Sequence, residues 1–243
     1  MNERPWPNPI GEDTLADDAV HVWLADLRIP PSNIPSLQAM LADDEKVRAS
    51  RFRFEPLQNV FIVSHGILRL LLSRYLNCDP ASLRFQHNSH GKPELPGHEL
   101  RFNFSHSGDY TIYALVRRHQ IGIDIERMRP LDDLETIARY YFSEVECAAL
   151  LNLRPEEQVQ GFFNGWTRKE AYIKAIGKGL AQPLDAFDVT LAPDSPARLL
   201  RVEGDLAAPQ RWSLWDVPAP AGYAAACMVE CPTCELQLRT FTL

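Results

Sequence analysis

No stretch of this chain approaches the roughly 18 to 20 consecutive apolar residues that a helix needs to cross a bilayer. Residues 1–9 hold prolines rather than the apolar segment of a secretion signal. Neither a membrane protein nor a secreted one is expected, and the cytoplasm is the expected compartment. Cysteine is scarce and odd in number, 5 in 243 residues, which argues against a disulfide framework and for thiols packed as small hydrophobes. Positive charge is in deficit: 25 Lys and Arg against 32 Asp and Glu leave a net charge of -7. Nucleic acid and anionic membrane are therefore not expected partners, and any anionic ligand must be held by a local cluster of cations. Compositional bias is missing too: 45% hydrophobic and 23% charged residues are globular values, which exclude disorder, collagen and coiled coil.

What the chain does contain is pattern. Residues 1–17, with Pro5, Pro7 and Pro9 and acids at Glu12, Asp13, Asp17 and Asp18 nearby, read as a poorly ordered lead-in. Residues 20–24 alternate as a half-buried strand, prolines 30, 31 and 35 interrupt, and a helix is expected over 36–49. Apolar residues recur at helical spacing over 57–76, a core stripe in which Arg69 is expected to be snorkelling or paired rather than a ligand. Strands are expected at 83–85, 102–104, 111–116 and 121–125. Helices follow over 131–142, over 143–152 behind the capping-box pair Ser143 and Glu146, and from Pro155 to Ile176. Strands return near 186–192, 197–203, 211–216, 222–230 and 235–242. Helices followed by strands occur twice, so the expected fold is α+β, a pseudo-twofold arrangement of two similar halves, residues 18–117 and 118–243. Two such halves in one chain suggest a monomer.

Three segments carry chemistry. In Ile121-Gly122-Ile123-Asp124-Ile125-Glu126, two carboxylates at i and i+2 share one face of an apolar strand. Such a pair is half of a hard-metal site, or else the solvated end of a strand. Trp166, Glu170 and Lys174 recur every four residues along one face of the long helix, beside Phe162 and Phe163. That face is ordinary surface decoration unless its aromatic flank buries it. The run Phe102-Asn103-Phe104-Ser105-His106-Ser107-Gly108 offers hydroxyls, an imidazole and backbone donors suited to phosphate. It lacks the Gly-x-Ser-x-Gly elbow of a hydrolase.

In order and spacing, Gly91-Lys92-Pro93, the Phe-Asn-x-Ser-His-Ser run, Ile-Gly-Ile-Asp-x-Glu, Trp-x-x-Lys-Glu-Ala-x-x-Lys and Gly177-Lys178-Gly179-Leu180 resemble the Sfp-type 4'-phosphopantetheinyl transferases. Trp166 and Ala171 resemble the subgroup with a Trp-Lys-Glu-Ala signature. The resemblance implies two α+β halves with coenzyme A between them and Mg²⁺, or Mn²⁺, on its pyrophosphate. It implies that a serine of an apo acyl or peptidyl carrier protein takes the phosphopantetheine arm and releases adenosine 3',5'-bisphosphate. It assigns Asp124, Glu126 and Glu170 to the metal, and Lys174 to the pyrophosphate. Ser105 and His106 go to the nucleotide phosphates, and Gly91, Lys92 and Pro93 to the adenine end. Glu170, or a water beside it, is the expected base, with Lys174 neutralising the leaving group. Residues 45–54 resemble the family's basic stretch, in which Arg48 would hold the 3'-phosphate. The chain departs from the family at Asn59-Val60, where an arginine is common, leaving Arg48, Arg51 and Arg53 as candidates. The acidic carrier is expected along residues 127–142, where Arg127, Met128, Arg129 and Arg139 offer charge and an apolar contact.

Two other functional classes fit the chain less well. A non-catalytic binder of coenzyme A or of a carrier would be signalled by a missing carboxylate, and all three are present. A phosphohydrolase would need further His or Asp clusters. Cys227-x3-Cys231-x2-Cys234 has zinc-ligand spacing but no fourth ligand nearby in sequence, so a hairpin turn between two terminal strands is expected.

Overall fold

The computed structural model describes residues 14–243. The first half runs β1 (Ala19–Asp26), α1 (Ile34–Met40), α2 (Asp43–Ser50), α3 (Glu55–Leu76), β2 (Gln86–His87), β3 (Pro93–Glu94), β4 (Leu100–Ser107) and β5 (Tyr110–Arg117). The second runs β6 (Ile121–Arg127), α4 (Leu134–Tyr141), α5 (Glu144–Leu151), α6 (Pro155–Ile176), β7 (Phe187–Val189), β8 (Leu199–Val202), α7 (Ala208–Arg211), β9 (Ser213–Asp216), β10 (Tyr223–Val229) and β11 (Glu235–Phe241).

The repeat that is invisible residue by residue is plain in topology. In each half the first strand pairs with the fifth, and the fifth pairs with the fourth: β1-β5-β4 and β6-β10-β9, all antiparallel. Each half also has one helix of 22 residues that carries a proline in its first turn and ends on a left-handed residue, Asn77 in α3 and Gly177 in α6. The fold is α+β, as expected.

Strand alternation sorts the layers. On β1 and β5, Trp23, Tyr113 and Leu115 pack with α3, while Val20, Val22, Ile112 and Ala114 face Ile121, Ile123, Ile125, Cys227 and Val229 of the other sheet. Beyond that second sheet, Ala226 and Met228 pack on α6. The order is therefore helix, sheet, sheet, helix.

The structure differs from the expectations at four places. The helix expected over 36–49 is split by an extended Leu41. Residues 83–85 do not form a strand, because the Leu83 carbonyl accepts from the Arg69 guanidinium. Arg69 is itself buried and paired with Glu45 at 2.7 Å, so it belongs to the core, as expected. β10 and β11 do not make a hairpin: β11 leaves its own half and adds to β1 as a parallel strand. Its Leu236 and Leu238 pack between the sheets, which makes burial the reason for the crossing. Residues 1–13 of the expected lead-in lie outside the described residues. Its remaining four are tied down, with Leu15 buried in the core and Asp17 paired with Arg117 at 2.9 Å.

Candidate active site

β6 splits its side chains between two neighbours. Ile121, Ile123 and Ile125 enter the core between the sheets, so alternation turns Gly122, Asp124 and Glu126 toward the other face, against which α6 lies. Gly122 is what lets the helix approach: a Cβ there would stand 2.0 Å from the Ala171 carbonyl and 2.4 Å from the Ala175 nitrogen. That contact sets Glu170 and Lys174 over the two acids. The three helix residues singled out by spacing, Trp166, Glu170 and Lys174, are all half-buried.

Lys174 Nζ lies 2.6 Å from Asp124 Oδ1 and 2.9 Å from Ser105 Oγ. Ser105 donates to the same carboxylate oxygen at 2.8 Å. Asp124 is 2% exposed, and its other oxygen, Oδ2, is buried with no hydrogen-bond partner. Burial first, then the charge of Asp124, pushes the Glu170 carboxyl up to about 7. The same two causes raise Glu126, against the hydrogen bond it accepts from Ser107.

β4 and β6 meet through side chains rather than a backbone ladder. Asn103 accepts from the Ile123 nitrogen at 2.9 Å, Ser105 donates to Asp124, and Ser107 donates to Glu126 at 2.8 Å while accepting from the Arg127 nitrogen. Every second residue of the β4 edge thus bonds to the β6 edge, at Ile123, Asp124, Glu126 and Arg127. Asn103 and Ser107 stood in the quoted motif without a role, and this zipper between the halves supplies one.

A cleft of about 460 Å³ opens beside this knot, walled by Arg48, Phe61, His65, His87, Gly91, Pro93, Phe104, Ser105, His106 and Lys174. Nearly all of its wall comes from the first half, and Lys174 comes from the second. Of the three candidate arginines only Arg48 is on the wall, its guanidinium over the Phe61 ring at 5.3 Å. Arg53 is a correction: it lies over Phe54, away from the cleft. Arg51 is likewise absent from the wall. His65 was missed by the sequence reading. It stacks on Phe61 at 3.8 Å, and burial pushes it down to about 3, so it meets any ligand as a neutral ring. His106 is lowered as well, by burial and then by Lys174.

Lys92 is the second correction. Its ammonium does not face the cleft but donates to the Ile121 and Ala175 carbonyls at 3.0 and 2.9 Å. Asn88 donates to the Gly177 carbonyl in the same region. The turn that presents Gly91 and Pro93 is thereby pinned to the end of α6.

Two basic residues between Trp166 and Glu170 are also structural. Arg168 is fully buried, grips both Asp216 oxygens through its Nε and Nη2 edge, and donates from Nη1 to Thr190. Lys169 pairs with Glu146 at 2.7 Å and donates to the Leu184 and Phe187 carbonyls. Glu146 also caps α5 through the expected Ser143 box.

A guanidinium and an ammonium on the wall of one cleft, the ammonium bonded in turn to the Asp124 carboxylate, suit a phosphate-bearing ligand. Two family models match the chain: the 4'-phosphopantetheinyl transferase superfamily over residues 120–228, and the N-terminal region of a 4'-phosphopantetheinyl transferase over residues 31–117. The 4'-phosphopantetheinyl transferase HetI of Nostoc sp. is 39% identical over 203 residues, 82% of this chain and 85% of its own. Sfp of Bacillus subtilis is 35% identical over 157 residues, 64% and 69% of the two chains. A solved Chronobacterium ammoniagenes ACPS-CoA complex overlays 46% of this chain and 97% of its own, with 17% identity and a TM-score of 0.33. The chain belongs to the 4'-phosphopantetheinyl transferase superfamily and is an enzyme of that class.

Proposed function

We propose that this protein binds coenzyme A in the cleft and passes its phosphopantetheine arm to a serine of an apo acyl or peptidyl carrier protein, releasing adenosine 3',5'-bisphosphate. Membership of the family supports the transfer. One observation supports the placement of its chemistry: the Asp124 carboxylate is shared with Lys174 on one oxygen and unpartnered on the other, at the point where the halves join.

The donor set fits Mg²⁺ or Mn²⁺. Hard divalent ions take carboxylate oxygens, and a buried oxygen without a partner is an acceptor waiting for one. Asp124, Glu126 and Glu170 would hold the ion. When bound, it supplies positive charge to the pyrophosphate oxygens.

The chain's own residues do the rest. Arg48 holds the 3'-phosphate at the cleft wall, and Gly91 and Pro93 present the turn against the adenine end. Ser105 and His106 line the cleft beside the phosphates, His106 as the donor and Ser105 holding Asp124 and Lys174 in place. Lys174 stabilises charge that builds on the bridging oxygen as its bond to the β-phosphorus breaks. Glu170, pushed up to about 7, accepts the proton that the carrier serine loses. The carrier lies along residues 127–142, where Arg127 is exposed and Tyr140 is 80% exposed. We place the enzyme in the cytoplasm, as a monomer without nucleic-acid or membrane partners. Among the described residues no helix is long and apolar enough to cross a membrane.

Mass spectrometry of an apo carrier after incubation with the protein, coenzyme A and Mg²⁺ tests this reading. One arm is expected on the carrier serine, and a chelator should abolish its transfer. Coenzyme A consumed with the carrier unlabelled would indicate a hydrolase, and neither changed would indicate a binder. Either outcome overturns the proposal.

A further inference from the structure

The acids are not the only grouping of ligand-type side chains. Among the described residues, the set of three whose ligand atoms already lie within 4.8 Å of one another is His119, Cys231 and Cys234. It stands apart from the acids. His119 is five residues before Asp124 on an extended chain, roughly 16 Å at about 3.3 Å per residue.

The two loops that carry these residues are the two places where the chain passes between the halves. His119 lies in the connection from β5 to β6. Cys231 and Cys234 lie in the connection from β10 to β11, by which the chain returns to the first sheet. The Glu230 nitrogen donates to the Gln120 carbonyl at 2.9 Å, holding the loops together, and Ser213 Oγ donates to the Cys231 carbonyl at 2.7 Å. All five cysteines of the chain are free. Cys227, the third cysteine of the sequence spacing, is not in the group: it points from β10 into the core between the sheets.

We propose that His119, Cys231 and Cys234 form a structural Zn²⁺ site that clips the two crossover connections together. The chemistry selects the metal: two thiolates and an imidazole suit Zn²⁺ and are poor ligands for the hard Mg²⁺ of the catalytic chemistry. Tetrahedral zinc, with bonds of about 2.3 Å to sulfur and about 2.0 to 2.1 Å to nitrogen, sets its ligand atoms about 3.5 to 3.8 Å apart. From separations within 4.8 Å the ligand atoms need to close by at most about 1 Å, within reach of side-chain rotation. The Cys-x-x-Cys knuckle supplies two ligands from one turn, and His119 is half-buried, so water has access to the fourth position. Binding releases the two thiol protons to solvent.

The test uses the full chain, reduced, loaded with Zn²⁺ and passed through gel filtration. About one zinc per chain is expected by elemental analysis, with Tm several degrees above that of the chelator-treated protein. His119→Ala and the double variant Cys231→Ser/Cys234→Ser should bind under a tenth of that and lose the zinc-dependent rise. Co²⁺ added to the unmutated protein should give a thiolate-to-cobalt charge-transfer band, which keeps the test decisive where a variant fails to fold. No zinc retained and no such band, or equal zinc in the variants, would overturn the site.

Discussion

Lys174 on α6 and Asp124 on β6, fifty residues apart, meet at 2.6 Å, and Ser105 from the other half closes the contact. One side chain from each of three elements is needed to build it. Replacing Lys174 with Ala removes the cation nearest the carboxylate and the cleft. We expect kcat/KM to fall by about 10²- to 10³-fold, the usual effect of losing one charge-stabilising donor. A variant within tenfold of the parent would remove this lysine from the reaction.

Glu170 makes a prediction about pH. Its carboxyl is raised from 4.5 to about 7, so the folded state holds the proton more tightly than the unfolded one. Stability contributed by this group is present at low pH and is lost as pH rises from about 4.5 through about 7, the opposite of an ion-paired acid. In Mg²⁺-free buffer Glu170→Gln should therefore be more stable than the parent above pH 7, the gap closing toward pH 4.5. Thermal melts across that range decide it, and a gap that ignores pH would contradict the burial argument. Turnover, measured with Mg²⁺, should rise at lower pH than this metal-free interval, because a cation beside Glu170 favours its charged form, while the Gln variant stays nearly inactive.

Lys92→Met separates a tie from a ligand. The substitution keeps the apolar stem and leaves the Ile121 and Ala175 carbonyls unsatisfied, at a cost of about 1 to 3 kcal/mol. The loss should appear in denaturant midpoints, with KM for coenzyme A changed by less than tenfold. An unchanged midpoint with weakened coenzyme A binding would return Lys92 to the cleft.

Lys169→Met isolates the Glu146 carboxylate, whose side chain is 2% exposed. Removing one member of a buried pair costs about 3 to 5 kcal/mol, because the remaining charge has no counter-ion. Adding Glu146→Gln to the same chain should recover part of that loss. Were the double variant less stable than the single, the ion pair would not be the source.

Much of the fold was legible in sequence because it rests on local rules. The 22-residue helices announced themselves in sequence, α3 by its apolar period and α6 by its starting Pro155 and the glycine that follows Ile176. Asp124 and Glu126 shared a face because strands alternate, and Glu170 and Lys174 because helices turn every 3.6 residues. What was illegible involved partners far along the chain. Arg53 and Arg48 look alike in one basic run, yet only Arg48 reaches the cleft wall. Lys92 reads as a ligand contact and Lys169 as one more helix cation until the carbonyls and the carboxylate that hold them are seen. Cys227 seemed the partner of Cys231 and Cys234 by proximity in sequence, whereas His119 is their neighbour in space.

By itself the sequence determined the two long helices, the central strands, their repeated order and the chemical types gathered on each face, since these depend on residues a few positions apart. The tertiary structure alone decided that β11 returns to the first sheet and that β4 and β6 interlock by side chains. It alone decided which of several cations sits beside Asp124. Those choices are made by burial and hydrogen bonding between segments that meet only when the chain has closed on itself.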